Sequence, residues 1–433
     1  MQRRGKDQEE MGKKRFCCAT DGYPDNRNLL EARKTQRLQR VLISLMVAAG
    51  CFAVSILFHC LYPSDDNYYI SFVVNGLFDD VGECQYLHPL LGRFLHALSL
   101  LLPGADTFML VGRLLVFLEI FWLTDLLLRE KRDPRLTAAI LLLLLLASLE
   151  LDLFNCNYTI QAASFAAAGL VSLSRAPRQE GARMEGVVGA LFFAAGFMWR
   201  RQGALLAAPY ILLETAANIL PAADRRRTLK RCCRMLLPCL VLTAALTLSD
   251  AVISSDVAHR EARAYDDSRI KISDYPTLPW KRVEDRANGE LTEADYYASQ
   301  WWILFDTEKM NTELFRKISQ IGSRRAFPFT LRGAWGAAAN ARTIVLQDRE
   351  ILRTGILLAV LAAAGLLALP RWQRAEILLI CVGTLAILLY FIMLGRAPRH
   401  LWQSVLFIPI GHTLCIMAQY AEPTENGPAC LRA

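Results

Sequence analysis

Long apolar stretches separated by short basic segments constrain this chain most. A bilayer core about 30 Å thick requires about 20 consecutive apolar residues per crossing helix, and 54% of the residues are hydrophobic. The pattern predicts an all-α fold, a polytopic transmembrane helical bundle of about ten spans. The predicted spans are about 41–62, 107–128, 136–151, 159–174, 184–199, 204–220, 235–253, 352–369, 375–394 and 401–419.

The basic segments between the predicted spans set the orientation. Residues 1–40 hold 11 Lys/Arg against 6 Asp/Glu, and the segments 129–135, 175–183, 225–234 and 371–374 fall on the same side. Cytoplasmic loops carry an excess of Lys and Arg, so we expect a multi-pass protein of the cell membrane with a cytoplasmic N-terminus. The net charge of +8 then follows from topology, and no nucleic-acid partner is predicted.

The spans divide the chain into five predicted parts, with interfacial helices in the first outer loop and a small helical extracytoplasmic subdomain. A capping-box pattern at Thr292 to Asp295 indicates one helix of that subdomain, and another is expected from Leu331. The parts are a basic cytoplasmic tail (1–40), an N-terminal transmembrane module (41–253) with its first outer loop (63–106), the extracytoplasmic subdomain (254–350), C-terminal transmembrane helices (351–420) and a cytoplasmic tail (421–433).

Two adjacent carboxylates, Asp65 and Asp66, follow the first predicted span directly. A carboxylate just above the outer leaflet can act as a general base toward an acceptor hydroxyl, or can ligate a divalent cation. Adjacent residues point in different directions, so one of the two is expected to face a site. The alternative is a solvated turn in which both aspartates cap a helix. The sequence does not decide which aspartate is the base, and it leaves a divalent metal as an open possibility.

The segment from His88 to Gly104 is too short to span a bilayer but is apolar enough to lie at its surface. His88 precedes a proline that can open a helix, and Arg93 and His96 are the polar residues within it. This pattern predicts an amphipathic surface helix in the first outer loop. His88 and Arg93 are therefore candidates for binding a substrate or a lipid phosphate at the membrane surface.

Several arginines run against the positive-inside bias. A guanidinium group binds phosphate through two parallel hydrogen bonds, so recognition of an anionic lipid or a diphosphate explains arginines on the outer side. The alternative is that each one reaches toward the headgroups without a specific ligand. The candidate binding residues here are Arg113 within the second span, Arg200 and Arg201 between the fifth and sixth spans, and Arg396, Arg399 and His400 between the last two.

This arrangement resembles the GT-C superfamily of polytopic membrane glycosyltransferases, which combine an aspartate motif after the first span with a helical first outer loop and many spans. The stretches Ser64 to Gly76, His88 to Gly92, Ala262 to Tyr265 and Asp274 to Pro276 also resemble a group of uncharacterised bacterial multispanning membrane proteins of that build. The resemblance covers most of the chain as architecture, but only the first outer loop as a motif.

The resemblance implies inverting transfer of a sugar from a polyprenyl-phosphate-linked donor to a cell-envelope glycan or lipid acceptor on the outer face. Asp65 or Asp66 would activate the acceptor. The expected partners are membrane lipid, the polyprenyl-phosphate sugar and the glycan acceptor. Trp301-Trp302 is followed by Ile303, which departs from the signature of oligosaccharyltransferases, so peptide glycosylation is not predicted. The alternatives are a polysaccharide polymerase, ligase or flippase for lipid-linked glycans, and a non-enzymatic membrane scaffold.

Overall fold

The structure is a computed structural model, and it describes residues 26–57, 65–77, 84–129, 142, 157–175, 183–287, 289–300, 308–322, 326–396 and 398–420. Every regular element in these ranges is helical. The first eight helices are α1 (Asn26–Leu57), α2 (Asp65–Val74), α3 (Pro89–Leu101), α4 (Thr107–Leu128), α5 (Tyr158–Arg175), α6 (Arg183–Trp199), α7 (Arg201–Leu205) and α8 (Ala208–Ile219).

The second half of the chain continues the helical pattern, with one short 3₁₀ turn at Trp280–Arg282. Its helices are α9 (Arg225–Ile253), α10 (Val257–Ser273), α11 (Glu284–Ala287), α12 (Glu293–Gln300), α13 (Thr312–Gly322), α14 (Leu331–Gln347), α15 (Arg349–Ala368), α16 (Arg371–Leu394) and α17 (Arg399–Tyr420).

Five of the described helices are long and apolar enough to cross a membrane, which indicates a multi-pass membrane protein. They are the Lys34–Leu57 part of α1, together with α9, α15, α16 and α17. The predicted span at 136–151 lies outside the described residues. The other four predicted spans fall on α4, on α5, on α6 and on the broken pair α7 and α8. Of these, α5 to α8 are shorter than the five, whereas α4 has 22 residues and carries Arg113, Glu119 and Asp125 within its apolar run.

The centre of the bundle is formed by α5 and α17. Every residue of α5 is buried, as is α17 from Trp402 to Ala418. Small residues let α6 approach α5 closely: a Cβ at Gly196 would lie 2.6 Å from the carbonyl oxygen of Ala162. By contrast, the most apolar 18-residue part of α9 has a mean hydropathy of 2.0, and only 6% of it is buried. An apolar helix exposed in this way suits contact with lipid.

Helices α10 to α13 share a smaller core of their own, which includes Trp280, Tyr296 and Phe315. The predicted capping box is present, because the backbone amide of Asp295 donates to the Thr292 hydroxyl (3.2 Å) and that of Thr292 donates to the Asp295 carboxylate (3.2 Å). The helix expected from Leu331 is α14, and it leads directly into α15.

The two carboxylates within α4, Asp125 and Glu119, are bonded to neighbouring helices. Asp125 accepts from Arg40 of α1 (2.5 Å) and from Arg129 (2.5 Å), and Arg129 also reaches Glu185 of α6 (2.5 Å). Ser164 of α5 donates to Glu119 (2.6 Å). Buried charges are tolerated where they are paired and hydrogen-bonded, so these groups tie α1, α4, α5 and α6 together.

Candidate functional site at the Asp66 cavity

The Asp66 cavity is an open space of about 550 Å³ where the ends of several helices meet. Asp66 comes from α2, Arg200 from the break between α6 and α7, and His400 from the first turn of α17. Its remaining polar lining consists of Tyr86, Tyr158, Arg269, Ser273, Asp274, Asn340 and Arg396. Residues far apart in the sequence therefore converge on one space beside membrane-crossing helices.

Asp66 is half-buried at the edge of this cavity. The Tyr158 hydroxyl donates to one of its carboxylate oxygens over a long distance of 3.4 Å. Burial raises the pKa of Asp66 above its usual value, and the nearby charge of Arg200 partly opposes that rise. A raised pKa brings a carboxylate closer to the range in which a general base works well near neutral pH. Asp65 begins α2, but its side chain lies outside the described residues.

Arg200 contacts the face of the Tyr158 ring. Its guanidinium group stacks over the Tyr158 ring at 4.5 Å from the centroid and donates to the Thr159 hydroxyl (2.6 Å). Within the described ranges, no carboxylate lies within ion-pair distance of Arg200. Tyr158 thus contacts a carboxylate through its hydroxyl and a guanidinium group through its ring face, and each of these groups keeps hydrogen-bonding capacity for a third molecule.

The position of Arg200 follows from the end of α6. Trp199 is fully buried, stacks on Phe108 (5.1 Å between ring centroids) and donates to Gln161 (3.0 Å). Arg200 itself is extended (φ −161°, ψ 109°), so the helix stops and restarts at Arg201. The buried Trp199 fixes the end of α6, and the extended backbone of Arg200 leaves the Arg200 side chain in the cavity wall.

The other two arginines of the cavity are paired with carboxylates. Arg269 forms an ion pair with Asp266, one turn earlier on α10, and reaches the Tyr86 hydroxyl at 3.5 Å. Arg396 donates to Asp274 (2.6 Å). The charges of these two arginines are already balanced, so the pairs contribute hydrogen-bonding groups to the cavity wall. Arg200 contributes a positive charge that has no ion-pair partner in the described part of the chain.

A left-handed turn places Arg396 beside Asp274. Gly395 ends α16 with φ +83°, and a Cβ there would lie 2.3 Å from Pro276. The Arg396 amide then donates to the Phe391 carbonyl (3.0 Å). Glycine is the residue that adopts this conformation at little cost, so the Gly395-Arg396 pair is a local sequence signal for this corner of the cavity.

An adjoining cavity of about 380 Å³ shares Tyr86, Arg200, Arg396 and His400 with the first. It also brings in His88 and Arg201. His88 caps α3: its Nδ1 accepts from the Leu90 amide (3.2 Å), and its Nε2 donates to the Leu246 carbonyl (2.8 Å). Arg201 lies 3.9 Å from Asp250, which also accepts from Arg263 (2.5 Å).

The remaining predicted binding residues line neither cavity. Arg93 is exposed on α3, and Arg113 is partly buried on α4. Arg399 donates to Asp348 (2.6 Å) and lies 3.5 Å from Glu350, so it joins the start of α17 to the start of α15. The structure therefore brings Asp66, Arg200, Arg396 and His400 together, and places these three arginines elsewhere.

Six polar residues of the cavity were not among the predicted site residues: Tyr86, Tyr158, Arg269, Ser273, Asp274 and Asn340. Asp274 belongs to the Asp-Tyr-Pro stretch noted in the resemblance, which was a usable signal. Arg269 lies three residues after Asp266, a spacing that pairs charges on one helix face. Neither tyrosine has a local signal, because each acquires its role from contacts between distant segments.

The cavity combines the Asp66 carboxylate, several hydroxyl groups and the Arg200 guanidinium group, which has no carboxylate partner among the described residues. This set suits the binding of an anionic group next to a hydroxyl that loses a proton. Among the described residues, the cavity holds no group of three metal-ligating side chains close enough to share one ion.

No protein-family model matches the chain. Neither a curated protein nor a solved structure matches it. What the chain does must therefore be inferred from the chemistry of the Asp66 cavity and from its place beside the membrane-crossing helices.

Proposed function

We propose that the protein is a membrane glycosyltransferase. It moves a sugar from a polyprenyl-phosphate-linked donor to a cell-envelope glycan or lipid acceptor on the outer face of the membrane. The observation that carries this proposal is that Tyr158 contacts Asp66 through its hydroxyl and Arg200 through its ring face, within one open cavity. A base and a phosphate-binding group are thus available to two different parts of a reacting pair.

Asp66 takes the proton of the acceptor hydroxyl in this reaction. The freed oxygen attacks the anomeric carbon of the donor sugar, the bond from that carbon to the phosphate oxygen breaks, and the polyprenyl phosphate leaves with the electron pair. Arg200 stabilises the phosphate through charge-assisted hydrogen bonds. The Arg269–Asp266 and Arg396–Asp274 pairs hold the walls of the cavity and orient the sugar.

The size and position of the cavity fit such a donor. A volume of about 550 Å³ is within the range of small-ligand sites, roughly 300–1,000 Å³. The ends of α16 and α17, two helices able to cross a membrane, form part of its wall. A sugar phosphate can therefore enter the cavity while its polyprenyl chain stays in the bilayer. The positive-inside pattern of the ten-span topology supports an outer location for Asp66, Arg200 and Arg396.

The decisive variant is Asp66→Asn, which keeps the shape of the side chain and removes the base. Purified protein is reconstituted into liposomes with radiolabelled polyprenyl-phosphate mannose, glucose or galactose and an envelope-glycan extract, and label in the acceptor is counted. We expect transfer to fall by about 10²–10⁴-fold, the usual contribution of general base catalysis.

Two comparisons make this result specific. Asp256→Asn is the matched control, because Asp256 is an exposed capping aspartate at the start of α10 and asparagine caps equally well; it should transfer at the wild-type rate. Asp65→Asn tests the neighbouring carboxylate. Full transfer by Asp65→Asn, by Asp66→Asn and by the double variant would overturn the proposal. Movement of the lipid-linked sugar across the bilayer without bond formation would instead favour a flippase.

A further inference from the structure

A second group of ionisable side chains lies within the helical bundle, away from the Asp66 cavity. Glu214 of α8, Glu376 of α16 and His412 of α17 place one ligand atom each within 4.8 Å of one another. His412 Nε2 is 2.7 Å from Glu214 Oε2 and 3.6 Å from Glu376 Oε1. We call these three residues the His412 cluster.

The His412 cluster is closed to solvent. The exposed fractions of the three side chains are 0% for His412, 3% for Glu376 and 4% for Glu214. His412 lies twelve residues along α17 from His400, which corresponds to about 18 Å at 1.5 Å per residue. The cluster is therefore too far from the Asp66 cavity to contact a substrate bound there.

Glu376 gives an independent sign that a cation belongs here. Its Oε1 atom is buried, has no hydrogen-bond partner among the described residues and faces His412. An ionised carboxylate in an apolar interior costs several kcal/mol unless it is paired or coordinates a metal. Within the described part of the chain, His412 is the one cationic group within 4 Å of Glu376.

The Glu214 carboxylate is already oriented for such a role. Asn218, one turn later on α8, donates to its Oε1 atom (3.1 Å), so that Oε2 is directed toward His412. Supporting hydrogen bonds of this kind hold ligating carboxylates in place at metal sites.

We propose that Glu214, Glu376 and His412 bind one divalent transition-metal ion of the zinc class. An imidazole nitrogen and carboxylate oxygens are ligands that Zn²⁺ takes at about 2.0–2.2 Å. Tetrahedral bonds of that length separate neighbouring ligand atoms by about 3.3 Å, a value between the 2.7 and 3.6 Å found here. A neutral imidazole, two carboxylates and a divalent ion sum to zero charge, which a low-dielectric interior favours. The ion ties α8, α16 and α17 together.

The test is metal binding by the purified full-length chain, and it needs no glycosyl-transfer assay. The protein is incubated with Zn²⁺, desalted, and its metal content measured by mass spectrometry; one equivalent is expected. Glu376→Gln and Glu214→Gln keep the side-chain shape and should weaken binding at least tenfold. Glu119→Gln is the matched control, because Glu119 is another buried glutamate, bonded to Ser164 on α5; it should keep the wild-type metal content.

A titration of the wild-type chain with Co²⁺ covers the case in which a variant does not fold. Cobalt in a site of one imidazole and two carboxylates should give a saturable visible absorption band that Zn²⁺ displaces. Three results would overturn the proposal: less than a tenth of an equivalent of metal in the wild-type protein, equal binding in wild type and both variants, or no saturable cobalt band. A cluster that holds protons only would give the first and third of these results.

Discussion

The Asp66 cavity and the His412 cluster both combine carboxylates with cationic groups, but they differ in space and in pairing. The cavity has a volume of about 550 Å³, and two of its three arginines form ion pairs with aspartates. In the cluster, three side chains that are at most 4% exposed contact one another directly. The cavity has room for a molecule, whereas the cluster is closely packed and would take no more than the single ion proposed above.

The difference shows that burial, rather than residue type, decides what a charged group does. In the cavity, the Arg396–Asp274 pair is partly exposed, so water and mobile ions screen its charges and the pair positions side chains at little net energy, whereas Arg269–Asp266 is buried in the wall. In a closed cluster, each charge depends on its neighbours, and the loss of one leaves the others uncompensated. The two regions should therefore respond to substitution in opposite ways, the cavity through activity and the cluster through stability.

The largest effect is expected for His412→Ala. Removing the imidazole takes one ligand from the proposed ion and removes the side chain that lies within 4 Å of both buried carboxylates, so we expect the free energy of unfolding to fall by about 3–5 kcal/mol. Thermal unfolding in detergent micelles measures the change, with the partly exposed His259→Ala as the control. A loss below 1 kcal/mol would show that the cluster does not depend on its histidine, and the contrast with the cavity would not hold.

The next effect is expected for Arg200→Gln, which should act on transfer rather than on stability. Hydrogen bonds to a charged group contribute about 1.5–3 kcal/mol, so kcat/KM should fall by about 10–100-fold in the liposome assay. Arg200→Lys keeps the charge but loses the two-pronged geometry, and should recover part of the activity. Arg260→Gln changes an exposed arginine on α10 and serves as the control. Unchanged kcat/KM in Arg200→Gln would remove the phosphate-binding role.

A third prediction concerns the pH dependence of transfer. A base must be deprotonated, so the rate should rise with pH through the pKa of Asp66, which burial raises. The charged groups that act on Asp66 are Arg200 and Arg269, which lower this pKa, and Asp274, which raises it. Loss of the Arg200 charge should raise the pKa of Asp66 further. The part of the rate profile that rises with pH should therefore move to higher pH in Arg200→Gln. An unmoved rise would show that another group is the base.

Much of the helical architecture was predictable because it depends on local patterns. The apolar runs that became α15, α16 and α17 stand out in the sequence, and the break at Arg200 was expected from the charged residues between two apolar stretches. The number of spans was harder to predict, because helices such as α5 are buried among other helices and carry polar residues that a lipid-facing helix would exclude.

The candidate site was predictable only in part. The topology predicted from the sequence placed Asp66, Arg200 and Arg396 on the outer side of the membrane. The structure brings these three residues around one cavity. Tyr158 and the His412 cluster were not predicted, because their roles arise from contacts between helices that are distant in the sequence. Arg399 looked equivalent to Arg396, yet Arg399 pairs with Asp348 whereas Arg396 pairs with Asp274.

The smallest effect is expected for Arg399→Gln, which tests the screened ion pairs outside both regions. Arg399 is 43% exposed and contacts Asp348 and Glu350. Exposed ion pairs contribute about 0–1 kcal/mol, so the unfolding transition in detergent should shift by no more than that. Because these charges are screened, raising the salt concentration should shrink the difference between variant and wild type further. A loss comparable to that of His412→Ala would contradict the rule that burial separates the two kinds of charged group.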